Sequence, residues 1–129
     1  ANYYPDISAM LFEGVTKELK IKSITPLAVP GIFEIPVVIA KNINSYDAFI
    51  ALGCVIKGET PHFDFIATET SRALMKMIVQ NDIPIGFGIL TTNNMKQAIE
   101  RSKEDESNKG REAMAAALDV YEIYNKIKV

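Results

Sequence analysis

Between Ala48 and Ile56 every residue is apolar except the small Gly53. A run this long and continuous, bounded by turn residues, reads as a strand buried on both faces, the kind found in a parallel sheet covered by helices. The next five residues narrow the choice. Gly58-Glu59-Thr60-Pro61-His62 is a short turn leading into a helix, with Thr60 as the expected N-cap and Pro61 at the first helical position, where its missing N–H is no loss. Such a turn presents unpaired N–H groups and the positive end of a helix dipole, which together suit an anion. His62, the only histidine, falls in the first turn of that helix. The dipole disfavours the imidazolium there, so a neutral ring able to accept a proton is expected. The plain alternative is a histidine that decorates a βα turn.

The other elements alternate around that strand. Apolar residues at Ile7, Met10, Leu11, Val15 and Leu19 have helical spacing over Ile7–Lys20. Ile24–Val29 is a short β-rich run ending at Pro30-Gly31, and Pro36–Ile43 reads as a helix opened by its proline. The buried strand spans Tyr46–Val55, and the long helix Pro61–Gln80 turns Phe65, Ile66, Ala73, Leu74, Met77 and Ile78 inward. Pro84–Leu90 is a Gly-rich strand, and Thr92-Asn93-Asn94 caps a short helix ending at Arg101. A charged turn, Ser102–Ser107, precedes a final helix from Lys109 or Gly110 to about Lys126. This alternation predicts a parallel sheet sandwiched by helices, with ligands at the C-terminal strand ends. Three strands are few for such a sheet. A strand before Ala1 would complete it and leave Asn2-Tyr3-Tyr4 as a further turn at the same edge.

The length of 129 residues suits one domain. A net charge of −2, from 14 basic and 16 acidic residues scattered along the chain, offers neither a basic stripe for nucleic acid nor a polybasic patch for a membrane. No apolar segment approaches the roughly 18–20 residues of a spanning helix, and no signal peptide is visible. The single cysteine, Cys54, lies in the apolar run, so a buried, inert thiol in a reducing cytoplasm is expected. The chain opens at Ala1 without an initiator Met, as a piece of a longer protein would.

Several residues could carry chemistry. Glu34 stands among Ile32, Phe33, Ile35 and Val37, either as a partner for the helix N-terminus at Pro36 or as an acceptor for ligand hydroxyls. Tyr3, Phe33 and Phe87 are core residues or ligand platforms; Gly86 and Gly88 on either side of Phe87 let another surface approach it. Arg101 closes a short helix, where the dipole favours a cation in any case, but its fork also suits phosphate. Lys109 begins a helix, where a cation is unfavourable, and that misplacement hints at function. Lys57 is a solvated turn residue. There is no dinucleotide fingerprint, phosphate-binding loop motif, metal-ligand cluster or Ser/His/Asp arrangement. The chemistry expected is acid–base transfer and positioning, with no metal and no redox cofactor.

Taken together, the motifs resemble the lumazine synthase family of riboflavin biosynthesis. They are Val29-Pro30-Gly31-Ile32-Phe33-Glu34-Ile35-Pro36, the stretch Ala51 to Phe63, Phe87-Gly88-Ile89-Leu90-Thr91-Thr92, Gln97-Ala98-Ile99-Glu100-Arg101 and Asn108-Lys109-Gly110. They fall in family order and cover nearly the whole chain. The resemblance implies a flavodoxin-like α/β/α sandwich over residues 1–129, with a four-stranded parallel sheet whose first strand is largely missing before Ala1. It implies condensation of 5-amino-6-(ribitylamino)uracil with 3,4-dihydroxy-2-butanone 4-phosphate, giving 6,7-dimethyl-8-ribityllumazine, phosphate and water, without a cofactor. On this reading Tyr3 stacks on the pyrimidine. Gly31, Ile32, Phe33 and Glu34 hold the ring edge and ribityl chain, and Cys54, Val55 and Ile56 contact the pyrimidine through backbone. Gly58, Glu59 and Thr60 hold the phosphate, and His62 shuttles protons. Phe87, Arg101 and Lys109 come from a neighbouring subunit, with Arg101 closing on the phosphate. The implied assembly is a cytoplasmic homopentamer, isolated or built into a sixty-subunit shell, with its sites at subunit interfaces.

The chain departs from the family pattern in places. Cys54 stands where Thr is common, and Tyr3 replaces Phe or Trp. The connection Lys20–Ile24 is short. The turn Ser102–Ser107 lacks the glycines of shell-forming relatives and is acidic at Glu104, Asp105 and Glu106, which favours an isolated pentamer. Two other classes compete: a flavin- or lumazine-binding relative without turnover, and a receiver-like signalling domain. The second needs an acidic metal cluster at the strand ends, and none is visible.

Overall fold

The computed structural model describes residues 1–17 and 23–127. In chain order these form helix α1 (Pro5–Thr16), a 3-10 turn (Ile32–Glu34) continuing into α2 (Ile35–Lys41), strand β1 (Phe49–Ile56), α3 (His62–Asn81), β2 (Ile85–Thr92), α4 (Met95–Ser102) and α5 (Lys109–Ile127). α1 opens with Pro5 in its first turn and buries Ile7, Leu11, Gly14 and Val15, a single face at helical spacing. α4 is capped by Asn94, whose side chain accepts the Gln97 N–H at 2.9 Å.

β1 and β2 are parallel, paired from Phe49 opposite Ile85 to Ile56 opposite Thr92, and α3 makes the crossover between them. Alternate residues of β1 face opposite layers. Ala51 joins a core with Ile32, Ile35, Ile39, Leu74, Ile83, Ile85 and Ile89, and Phe49 and Val55 pack against it. Leu52, Cys54 and Ile56 face a second cluster with Ile7, Leu11, Leu90 and Ala98. The 3-10 turn, α2 and α3 therefore cover one face of the sheet, and α1, α4 and α5 the other. This is the expected α/β/α layering.

The sheet itself differs from expectation. Of the four expected strands one lies before Ala1 and three fall within the chain, whereas the described residues contain two. Ile24–Val29, read as a strand, is irregular, and both Ile24 and Leu27 are exposed. Pro26 can donate nothing to a ladder there. This segment borders a cavity of about 940 Å3, whose other walls include Phe49–Leu52 of β1, Val38 and Ile39 of α2, and Met114, Leu118 and Tyr121 of α5. β1 starts at Phe49 rather than Tyr46, whose ring meets Phe49 edge-on at 5.6 Å. β2 continues past Leu90 to Thr92. Leu19 and most of the short Lys20–Ile24 connection lie outside the described residues.

The glycines beside Phe87 also have a different explanation. α5 lies so close to β2 that a Cβ on Gly86 would stand 2.3 Å from the Ala113 carbonyl oxygen. A Cβ on Gly88 would be 3.2 Å from that of Ala113. These glycines admit a helix to the face opposite Phe87.

Candidate active site

The turn after β1 is anchored at the C-terminal edge of the sheet. The Lys57 N–H donates to the Thr92 carbonyl at 2.8 Å, extending the ladder one step past Ile56. From there residues Gly58, Glu59, Thr60, Pro61 and His62 are exposed. Thr60 is not the helix cap, contrary to the sequence expectation. Pro61 holds that position, its carbonyl receiving the N–H groups of Asp64 at 3.0 Å and Phe65 at 3.3 Å, and His62 is the first helical residue. The proline ring fixes φ near its helical value but supplies no side-chain acceptor, so among the described residues no side chain caps the first amides of α3. Gly58 has no positive φ, and nothing lies within 4 Å of where its Cβ would be. Neither backbone conformation nor packing requires a glycine there.

Two further segments converge on β1. The Ala1 nitrogen donates to the Leu52 carbonyl at 2.7 Å, and the Asn2 N–H to the Val29 carbonyl at 2.8 Å. These contacts tie the segment carrying Tyr3 to the one leading into Gly31. Tyr3 is 71% exposed and meets Tyr4 edge-on at 5.0 Å. The 3-10 turn after Gly31 packs on both β1 and α3. Ile32 is buried in the core, whereas Phe33 is 58% exposed. The Glu34 carboxylate accepts the Gly31 N–H at 3.1 Å, closing its own turn. Cys54 is buried as expected, with its thiol pushed up to about 11 by burial, against a smaller opposing pull from Thr92. It is inert at neutral pH. Val55 and Ile56, half-buried, complete the strand end.

Three expected site residues stand on other elements, β2, α4 and the start of α5. Phe87 is paired with Ala51, five residues back along β2 from Thr92, which is about 16 Å of strand. Its ring is 47% exposed. Arg101 sits in the last turn of α4, about 10 Å along the helix from Asn94, and its guanidinium donates to the Gln97 carbonyl at 3.1 Å. Lys109 begins α5 and pairs with Glu112 at 3.0 Å. That ion pair relieves the misplaced charge locally. One residue given no role from sequence, Asn108, is 2% exposed between Arg101 and Lys109 and makes four hydrogen bonds. The available signal is its place immediately before a helix, where Asn is a preferred cap.

The family model described as 6,7-dimethyl-8-ribityllumazine synthase matches residues 1–125. The chain belongs to that family. Relatives carrying that name include a protein of Bartonella tribocorum, 46% identical over 123 residues, covering 92% of this chain and 82% of the relative. One from Nitratidesulfovibrio vulgaris strain DP4 is 44% identical over 108 residues, covering 82% and 69%. The relative from Rhodopseudomonas palustris strain CGA009, named 6,7-dimethyl-8-ribityllumazine synthase 1, is 43% identical over 136 residues, covering 98% and 83%. This last alignment is longer than the 129-residue chain, so the relative carries residues within the matched span that this chain lacks. Every site residue named above lies inside the span matched by the lumazine synthase family, which is a family of transferases. Among the described residues, no group of three or more His, Cys, Asp or Glu could hold a metal ion. No described helix is long and apolar enough to cross a membrane.

Proposed function

We propose that this chain condenses 5-amino-6-(ribitylamino)uracil with 3,4-dihydroxy-2-butanone 4-phosphate to 6,7-dimethyl-8-ribityllumazine, releasing phosphate and water and using no metal or organic cofactor. The observation that carries the reading is the family match over residues 1–125, with the exposed Gly58–His62 turn set at the paired ends of β1 and β2. The amides that open α3 lack a side-chain cap, and a substrate phosphate supplies the acceptor. Glu59 contributes only backbone to that cradle, and Thr60 adds its hydroxyl.

In this reading Tyr3 stacks on the pyrimidine, and Gly31, Ile32 and Phe33 hold the ring edge. The Glu34 oxygen not engaged by Gly31 accepts from the ribityl chain, and Cys54, Val55 and Ile56 present backbone to the ring. His62 takes a proton from the attacking amine and returns one as water leaves, then serves the elimination of phosphate from the same cradle. Holding both substrates in one orientation supplies much of the rest, because an amine–ketone condensation is entropically limited. Phe87, Arg101 and Lys109 complete the site from a second protomer of a cytoplasmic homopentamer. The place of Phe87, five residues back along β2 from the strand end that carries the Gly58–His62 turn, supports this division. The acidic turn at Glu104, Asp105 and Glu106 favours the pentamer over a sixty-subunit shell.

The test is turnover of the two substrates by the purified protein in the presence of a chelator, followed by the lumazine's fluorescence. His62→Ala is expected to slow it by roughly 10²–10⁴-fold. Mixing the impaired His62→Ala and Arg101→Ala protomers, after dissociation and reassociation, should raise activity above that of either variant alone, because some mixed interfaces then hold both intact residues. Tight riboflavin binding with no product would instead make the chain a binding protein, and mixtures no more active than either variant would place the whole site in one protomer.

A further inference from the structure

Asn108 is fully buried between the two cations assigned above, and its bonds join the helices that carry them. Its amide nitrogen donates to the carbonyls of Ser102 and Lys103, both at 3.0 Å, and to that of Met10 at 3.1 Å. Its amide oxygen accepts the Arg111 N–H at 3.0 Å, capping α5. Three converging carbonyls and one N–H fix which end of the amide is which. Ser102 and Lys103 are the residues directly after Arg101, and Lys109 directly follows Asn108. The amide therefore links the closing turn of α4 to the opening turn of α5, and both to α1.

The fit against α1 is close. A Cβ on Gly14 would stand 2.0 Å from the Asn108 amide oxygen, so α1 has a glycine where the amide passes. Nearby, Glu13, Lys17 and Asp105 line a cavity of about 100 Å3 that also borders Asn108. No other residue of similar size offers two N–H donors and an acceptor in this arrangement.

We infer that Asn108 is the positioning residue for the phosphate-closing cation: its donations to Ser102 and Lys103 hold the end of α4 so that Arg101 faces the phosphate, while its cap holds Lys109 independently. This rests on the phosphate role proposed for Arg101. The two halves of the amide separate the two tasks. Asn108→Ser keeps an N-cap acceptor and loses the donations to α4.

The experiment measures KM for each substrate, kcat and melting temperature in wild type, Asn108→Ser, Arg101→Ala and the double variant. Asn108→Ser should raise KM for 3,4-dihydroxy-2-butanone 4-phosphate about tenfold, the scale on which losing an orienting partner is felt, and leave KM for the pyrimidine substrate unchanged. In the Arg101→Ala background the same substitution should leave the phosphate-substrate KM where Arg101→Ala put it. Asn108→Thr, which likewise keeps a cap acceptor and lacks the amide N–H groups, should reproduce the selective rise and keeps the question answerable if Asn108→Ser does not fold. A lower melting temperature with both KM values unchanged would overturn the inference, as would an equal KM rise with and without Arg101. If Arg101→Ala alone leaves the phosphate-substrate KM unchanged, the phosphate assignment fails and the inference with it.

Discussion

The Glu34 carboxylate reaches back three residues to the Gly31 N–H, at 3.1 Å, and closes the turn on which Phe33 stands exposed. One oxygen is thus committed to local structure, leaving the other for a ligand. Glu34→Ala should lower stability by no more than about 1 kcal/mol, the net worth of an exposed hydrogen bond, and raise KM for the pyrimidine substrate. Glu34→Gln keeps a carbonyl acceptor and should preserve the turn. Urea denaturation with steady-state kinetics checks both, and an Ala variant with unchanged KM would restrict Glu34 to its turn.

Gly86 and Gly58 should respond oppositely to alanine. At Gly86 the new Cβ meets the Ala113 backbone carbonyl, which cannot swing aside, so a loss of about 2–3 kcal/mol is expected. At Gly58 the space is open, so stability should stay within about 0.5 kcal/mol of wild type. If a phosphate approaches the Gly58 backbone, Gly58→Ala weakens its binding while the protein remains fully folded. Parallel denaturation and phosphate-competition measurements separate the two effects.

Thr70 is buried on α3, and its hydroxyl has no hydrogen-bond partner among the described residues. Thr70→Val removes that unmet group at nearly constant volume and should stabilise the protein by about 1 kcal/mol, read as a higher urea midpoint. A destabilised variant would show that the hydroxyl is satisfied in solution.

Cys54 sets a direction for alkaline stability. Burial raises its thiol from the ordinary 9.0 to about 11, so between those values the unfolded chain releases a proton that the folded chain keeps. Stability falls as pH rises through that window. Tyr4, also raised by burial, acts in the same direction at higher pH. The drop in urea midpoint between about pH 8 and about pH 10.5 should be smaller in Cys54→Ala than in wild type. Equal drops would contradict the assignment.

Much of this architecture is legible from periodicity. The face of α1 is written in Ile7, Leu11 and Val15, and β1 in the unbroken apolar run, because burial acts directly on those patterns. Ile24–Val29 misleads because β-propensity describes a residue's fit to a pleated surface and cannot say whether a partner strand lies alongside. Thr60 misleads by one position: Thr and Pro both favour helix starts, and only the backbone bonds from Asp64 and Phe65 show that Pro61 takes the cap. Gly86 points to Phe87 in the sequence because the approach of α5, many residues later, leaves no local trace. Beyond its place before a helix, Asn108 gives no local sign either, for the same reason. Its four partners come from α1, α4 with the turn after it, and α5, and converge only in three dimensions.

The crossover through α3 has a kinetic corollary. Parallel strands cannot zip from a hairpin, so no rung between β1 and β2 can form until the twenty residues of α3 have folded back across the sheet. Loop closure therefore precedes every reward from strand pairing. During refolding, amides of α3 should acquire exchange protection before those of the β1–β2 ladder, and the Lys57–Thr92 rung, at the far end of that ladder, should be among the last to close.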